Sequence, residues 1–108
     1  MKKVLFGLML LAVSNVSQAD YSKEQAWIYK GKEAVKSKLK DPNSAEFKGS
    51  FFKRGVDNIP VSCGWVNSKN GFGGYGGFQR YVSAARPDLT WLEEQMPDFQ
   101  VLWNRFCK

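Results

Sequence analysis

The two cysteines of this chain, Cys63 and Cys107, constrain its fold more than any other feature of the sequence. In an oxidising compartment they allow a single intramolecular disulfide. Closing a loop of that length stabilises a small domain by about 4 kcal/mol. The chain has no histidine and no C-x-x-C motif, so a redox-active or metal-binding cysteine pair lacks its usual companions. The sequence therefore predicts a structural disulfide, with no metal and no cofactor.

The N-terminal residues have the organisation of a secretory signal peptide. Lys2 and Lys3 give a positive start, Val4–Val13 is an apolar run, and small residues occupy Ser17 and Ala19. The apolar run is shorter than the roughly 20 residues that a membrane-spanning helix needs. We therefore expect a signal peptide at residues 1–19, cleavage near Ala19 and no membrane span in the mature chain.

Residues 20–108 are then expected to form one small domain that is periplasmic or secreted. Without the two lysines of the leader, the 16 Lys and Arg become 14 against 10 Asp and Glu, and the formal net charge falls from +6 to +4. A positively charged exported domain favours a protein partner or an anionic component of the cell envelope. Nucleic acid is not expected as a partner, because the basic residues are mixed with acidic ones and the chain is exported.

An amphipathic helix is predicted over residues 22–40. Ser22 and Gln25 match a capping box at its start. Asp41-Pro42 ends it, because the residue before a proline disfavours the α conformation. The apolar positions at helical spacing are Ile28, Gly31, Val35 and Leu39. The lysines on the remaining surface are interpreted as a solvated face, with a docking surface for anionic partners as the alternative.

Three antiparallel strands are predicted at residues 45–53, 59–65 and 78–85. Apolar and polar residues alternate along each of these segments. Gly49 interrupts the first strand and is a candidate β-bulge. The alternation of the second strand places Cys63 on the inward face beside Trp65.

A second helix is predicted at the C-terminal end, beginning at Pro97-Asp98. Thr90–Glu93 matches another capping box before it. The apolar stripe of the helix consists of Phe99, Leu102, Trp103 and Phe106. Cys107 follows the stripe, so the disulfide would tie this helix to the middle strand. The predicted fold class is α+β: an N-terminal helix, a three-stranded antiparallel sheet, a C-terminal helix and one disulfide.

Five of the ten glycines lie between Gly71 and Gly77, where the backbone adopts conformations that other residues resist. The segment matches G-x-G-x-x-G, but a strand pattern follows it where a dinucleotide site requires a helix. Two interpretations stay open. The glycines form a tight structural crossing against an aromatic residue, or they form a binding loop that offers Phe72 and Tyr75.

The polar corner before the glycines offers hydrogen-bonding groups but no clear catalytic set. Ser68 and Lys69 are adjacent, so in a strand they point to opposite faces and do not form a nucleophile–base pair. Glu93 and Glu94 are neighbours in sequence without an evident partner in space. No catalytic residue is therefore predicted. The candidate binding residues are Asn67, Lys69, Asn70, Phe72 and Tyr75.

Two motifs carry a resemblance to known proteins: D-P-x-S-A-x-F at residues 41–47 and C-G-x-V-N-x-K-N-x-x-G-G-Y-x-G-F at residues 63–78. With them the chain resembles a group of small exported or lipoprotein-type bacterial proteins, often encoded in Gram-negative genomes and their prophages, whose function is generally unassigned. The resemblance implies a periplasmic or surface location and a single small domain. It supplies no catalytic residues, and this chain lacks the lipid-attachment cysteine of the lipoprotein-type members.

These features favour a non-enzymatic binding module that acts on an envelope or exported protein, in an inhibitor, immunity or phage-exclusion role. One alternative is a small hydrolase of envelope polymers that uses Ser68, Lys69 or carboxylates. A second alternative is a structural subunit of an envelope assembly. The sequence gives no oligomeric state.

Overall fold

The computed structural model describes the backbone of residues 2–108 and the side chains of residues 19–108. The predicted signal peptide falls almost wholly outside the described side chains, so its cleavage near Ala19 stays a prediction. Across the residues that the structure describes, no helix is long and apolar enough to cross a membrane.

Within residues 2–108 the chain forms an α+β arrangement of two helices and a four-stranded antiparallel sheet with the order β1-β2-β3-β4. The α+β class and the disulfide are confirmed, but the prediction of three strands was wrong. The elements are α1 (Lys2–Lys36), β1 (Glu46–Arg54), β2 (Pro60–Asn67), β3 (Gln79–Ser83), β4 (Thr90–Leu92) and α2 (Phe99–Phe106).

The fourth strand occupies the residues in which a capping box was predicted. Thr90 pairs with Ser83 in the sheet, and its Oγ1 donates to the carbonyl of Arg86 at 2.6 Å. The hydroxyl of Thr90 therefore closes the β3–β4 turn instead of capping a helix. A strand of three residues is too short to show an alternating pattern, which is why the sequence did not reveal it.

The limits of the first helix also differ from the prediction. Helix α1 runs through Ser22, so the capping box there does not begin a helix. At the other end α1 stops at Lys36, and tighter turns follow in which Lys38 and Leu39 donate to carbonyls three residues back. The predicted helix 22–40 therefore ends four residues too late.

Helix α1 covers one face of the sheet. Its Val35 packs against Val66, Tyr81 and Leu92, all essentially inaccessible to solvent. At Gly31 the helix comes so close to the sheet that an added Cβ would lie 2.7 Å from the Cβ of Ser62. This close approach lets small polar side chains line the interface.

Buried hydroxyl groups beneath α1 hydrogen-bond to one another. The hydroxyl of the buried Tyr81 bonds to Ser50 Oγ at 2.7 Å and approaches Ser62 Oγ at 3.4 Å. Ser83 Oγ and Thr90 Oγ1 lie 2.7 Å apart. Burial raises the pKa of the Tyr81 phenol, so this group stays protonated and can donate within the network.

Helix α2 covers the opposite face of the sheet. Its Trp103 packs against Phe51, Trp65 and Phe99 with ring centroids 5.4 to 6.2 Å apart. The disulfide lies in the same core, where Cys63 of β2 and Cys107 have Cα atoms 6.1 Å apart. The predicted link between the C-terminal helix and the middle strand is confirmed.

The predicted bulge in β1 is also confirmed. The β1–β2 register shifts between Lys48 and Phe51, and Gly49 has φ +62°. An added Cβ at Gly49 would lie 3.0 Å from the Trp65 ring. The bulge thus gives room to an aromatic side chain of the α2-facing core.

Candidate binding surface

Residues 69–78 of the β2–β3 connection form an exposed loop, and Asn70 organises its tip. The backbone N–H groups of Phe72 and Gly74 donate to Asn70 Oδ1 at 2.9 and 3.3 Å. The backbone of Asn70 bonds to Gly73 and Gly74 as well, at 3.1 and 2.8 Å. The side chain of Asn70 therefore holds Phe72 and Gly74, and its backbone holds Gly73 and Gly74.

The base of the loop is attached to the rest of the domain. Gly77 N–H donates to Asn67 Oδ1 at 3.1 Å. Across the surface, Lys69 N–H donates to Ser44 Oγ at 2.8 Å, and the Tyr75 hydroxyl donates to the Ser44 carbonyl at 3.2 Å. The loop is thus fixed both to β2 and to the turn that precedes β1.

The predicted binding residues divide into two kinds. Asn67 and Asn70 use their side-chain oxygens to organise the loop from within. Phe72 and Lys69 are exposed, Phe72 to 99%, whereas Tyr75 is 47% exposed and its hydroxyl is held by the Ser44 carbonyl. The ammonium of Lys69 lies 5.9 Å from the centre of the Tyr75 ring.

A second cation–aromatic pair, which the sequence analysis missed, lies at the end of the same loop. Lys48 Nζ lies 4.1 Å from the centre of the exposed Phe78 ring. Lys48 belongs to β1, so only the β1–β2 pairing brings it to this surface. The only sequence feature that bears on Lys48 is the alternating pattern of β1, which predicts a solvent-exposed side chain but not its contact with Phe78.

The loop glycines do not form a tight crossing. An added Cβ would find no atom within 4 Å at Gly73, Gly74, Gly76 or Gly77. Gly73 and Gly77 have φ +82° and +96°, a region that side chains disfavour. The interpretation of the glycines as a tight structural crossing is therefore wrong. Gly73 and Gly77 instead allow the backbone conformation that the loop adopts.

Alanine substitutions at these glycines are expected to affect stability through backbone conformation and not through steric crowding. Gly74→Ala and Gly76→Ala should change the free energy of unfolding by less than about 0.5 kcal/mol, because the space around them is open. Gly73→Ala and Gly77→Ala should each cost about 1 kcal/mol or more through the positive φ. Urea unfolding of the four variants measures this difference, and equal losses at all four positions would contradict it.

The carboxylates considered for catalysis are engaged in structural contacts. Glu93 Oε2 accepts from Arg80 Nη2 at 2.8 Å, and Oε1 accepts from the Arg80 backbone N–H at 3.0 Å. These hydrogen bonds from Arg80 hold the pKa of Glu93 below its usual value, so its carboxylate is a poor proton donor. Glu94 is exposed and accepts from Gln79 Nε2 at 3.4 Å.

The other candidate groups do not assemble into a reactive centre. Among the described side chains, Ser68 and Lys69 form no hydrogen bond with each other. The described part of the chain also holds no group of three or more His, Cys, Asp or Glu able to bind a metal ion. Comparison of the chain with protein-family models, curated proteins and solved structures finds no match.

Proposed function

We propose that this chain is an exported, non-enzymatic binding domain, periplasmic or secreted, that contacts a protein partner through the loop surface of Lys69, Phe72 and Tyr75. The observation that carries the proposal is the 99% exposure of Phe72 at the tip of a loop fixed by hydrogen bonds. An inhibitor, immunity or phage-exclusion role would suit such a domain.

The energetics of Phe72 support a contact role. Burying a phenylalanine side chain against a partner contributes about 1.5–3 kcal/mol. Phenylalanine, like the other aromatic side chains, is enriched at the core of protein–protein interfaces. Because Asn70 already fixes the backbone around Phe72, binding would lose little conformational entropy in the loop.

We expect Phe72→Ser to reduce the amount of partner retained from an envelope extract at least tenfold, because the contact would lose its apolar anchor. The matched control is Tyr29→Ser on α1, which removes another exposed aromatic residue, 64% accessible, from a different surface. Quantitative mass spectrometry of immobilised wild type and both variants measures retention.

Thermal unfolding of Phe72→Ser should match that of wild type, because the side chain makes no buried contact. Equal retention by wild type and Phe72→Ser would contradict the proposal. So would an equal loss of the same partner in Tyr29→Ser, because that result would place the contact on α1 or make it non-specific.

A further inference from the structure

A cleft of about 200 Å³ opens beside the binding loop. It lies between the turns that follow α1, the two ends of the loop, and the residues just after β4. Most of its lining side chains are polar, among them Lys38, Lys40, Lys69, Gln79, Glu94 and Gln95. Leu39 and the buried Leu92 form its apolar part.

The cleft carries excess positive charge. Three of the lining side chains are lysines and one is a glutamate. Of the ion pairs that the described side chains form, none involves these three lysines. A concave site lined by one sign of charge concentrates its field and attracts the opposite charge.

One of the lysines is held at the cleft by the fold. Lys38 Nζ donates to the Thr90 carbonyl at 2.6 Å, and the Lys38 carbonyl accepts from Gln95 Nε2 at 3.2 Å. An ammonium group has three protons, so Lys38 keeps two for a ligand. Lys40 and Lys69 are exposed on the rim, where the Lys69 ammonium also lies 5.9 Å from the centre of the Tyr75 ring.

We propose that this cleft binds a carboxylate side chain in an acidic segment of the partner protein, while Phe72 packs against an apolar residue of that segment. The inference rests on the proposed function and specifies the chemistry of the partner. The cleft has room for about one side chain, and its glutamine and lysine groups supply hydrogen bonds to a carboxylate.

The shape of the site favours a protein segment over an anionic membrane. Lys38 is half-buried and tied to Thr90, so it cannot reach a flat lipid surface. Phe72 is almost completely exposed, whereas Tyr75 and Phe78 are about half exposed and held by Ser44 and Lys48, so one apolar side chain projects fully from the loop. An extended segment can place one carboxylate in the cleft and one apolar side chain at the loop tip.

The test uses protein purified from cells that export it, with Cys63–Cys107 formed. The probe is a six-residue peptide with three glutamates and one leucine, compared with the same peptide in which glutamine replaces glutamate. We expect NMR titration with the acidic peptide to shift the amide signals of Ser68, Asn70 and Gly77. Lys40→Gln/Lys69→Gln should weaken binding at least tenfold.

The matched control is Lys23→Gln/Lys30→Gln, which removes the same charge from the exposed surface of α1. This variant should bind the acidic peptide within twofold of wild type. Equal weakening in both variants, or equal binding of the glutamine peptide, would overturn the inference. Binding to vesicles of phosphatidylglycerol that depends on Lys40 and Lys69, without peptide binding, would replace it with a membrane contact.

The same variants separate this inference from the proposed function. Loss of the extract partner in Phe72→Ser, with full retention in Lys40→Gln/Lys69→Gln, would keep the loop contact at Phe72 and refute the acidic segment. Full retention in both variants would refute the loop and the cleft together. Loss in both is the expected result.

Discussion

Replacing Cys63 and Cys107 together by alanine is expected to lower the free energy of unfolding by about 4 kcal/mol, because the disulfide closes a loop across a sequence separation of 44 residues. Both cysteines are buried in the core beneath α2. A domain of this size has a total stability of about 5–15 kcal/mol. Loss of this one link would therefore remove a large part of it.

Urea unfolding of the oxidised protein, the reduced protein and the double-alanine variant measures the effect. The reduced protein should unfold close to the variant, because both lack the same constraint on the unfolded chain. Besides the disulfide, the contacts of Trp103 with Phe51 and Trp65 attach α2 to the sheet. The variant should therefore still fold in part. A variant within about 1 kcal/mol of the oxidised protein would contradict the stabilising role of the disulfide.

Gly31→Leu is expected to destabilise the domain by about 3 kcal/mol, because its side chain would push α1 away from the sheet. An added Cβ at this position lies 2.7 Å from Ser62 Cβ and 3.6 Å from Ser83 Cβ. Both neighbours are fixed to the backbone of β2 and β3, so neither can rotate away. The gain in helix propensity from replacing glycine, about 1 kcal/mol at most, does not offset this clash.

Thermal and urea unfolding of Gly31→Leu can be compared with Lys30→Leu, which adds the same side chain at the adjacent exposed position. Lys30→Leu should change stability by less than about 0.5 kcal/mol. The smaller Gly31→Ala should be partly rescued by Ser62→Gly, which removes the opposing Cβ. No coupling between these two substitutions would show that α1 does not cross the sheet at Gly31.

The parts of the fold that local patterns encode were predicted. The apolar stripe of α2 and the glycine at the β1 bulge can be recognised within a few residues, and the two cysteines allow one pairing. Strand β4 could not be predicted, because Thr90–Leu92 becomes a strand only through its pairing with Tyr81–Ser83. The end of α1 at Lys36 also follows from tertiary contacts, because the residues from Ser37 to Lys40 are compatible with a helix.

The sequence indicated the exposed glycine loop, but not the hydrogen bonds that organise it. Asn67 and Asn70 were predicted as contact residues, whereas their side chains hold the loop backbone. Ser44 was not singled out, because its bonds to Lys69 and Tyr75 span 25 and 31 residues. One of the two interpretations of the loop glycines placed close backbone contacts there, whereas the structure has such contacts at Gly31, Gly55 and Gly64.

Site-specific photo-crosslinking at position 72 tests most directly whether the loop tip contacts a partner. Benzoylphenylalanine would replace Phe72 in one culture and Tyr29 in another, and cells exporting each protein would be irradiated. We expect a covalent adduct with a discrete protein from position 72 and none from position 29. No adduct from position 72, or the same adduct from both positions, would contradict a binding role for the loop.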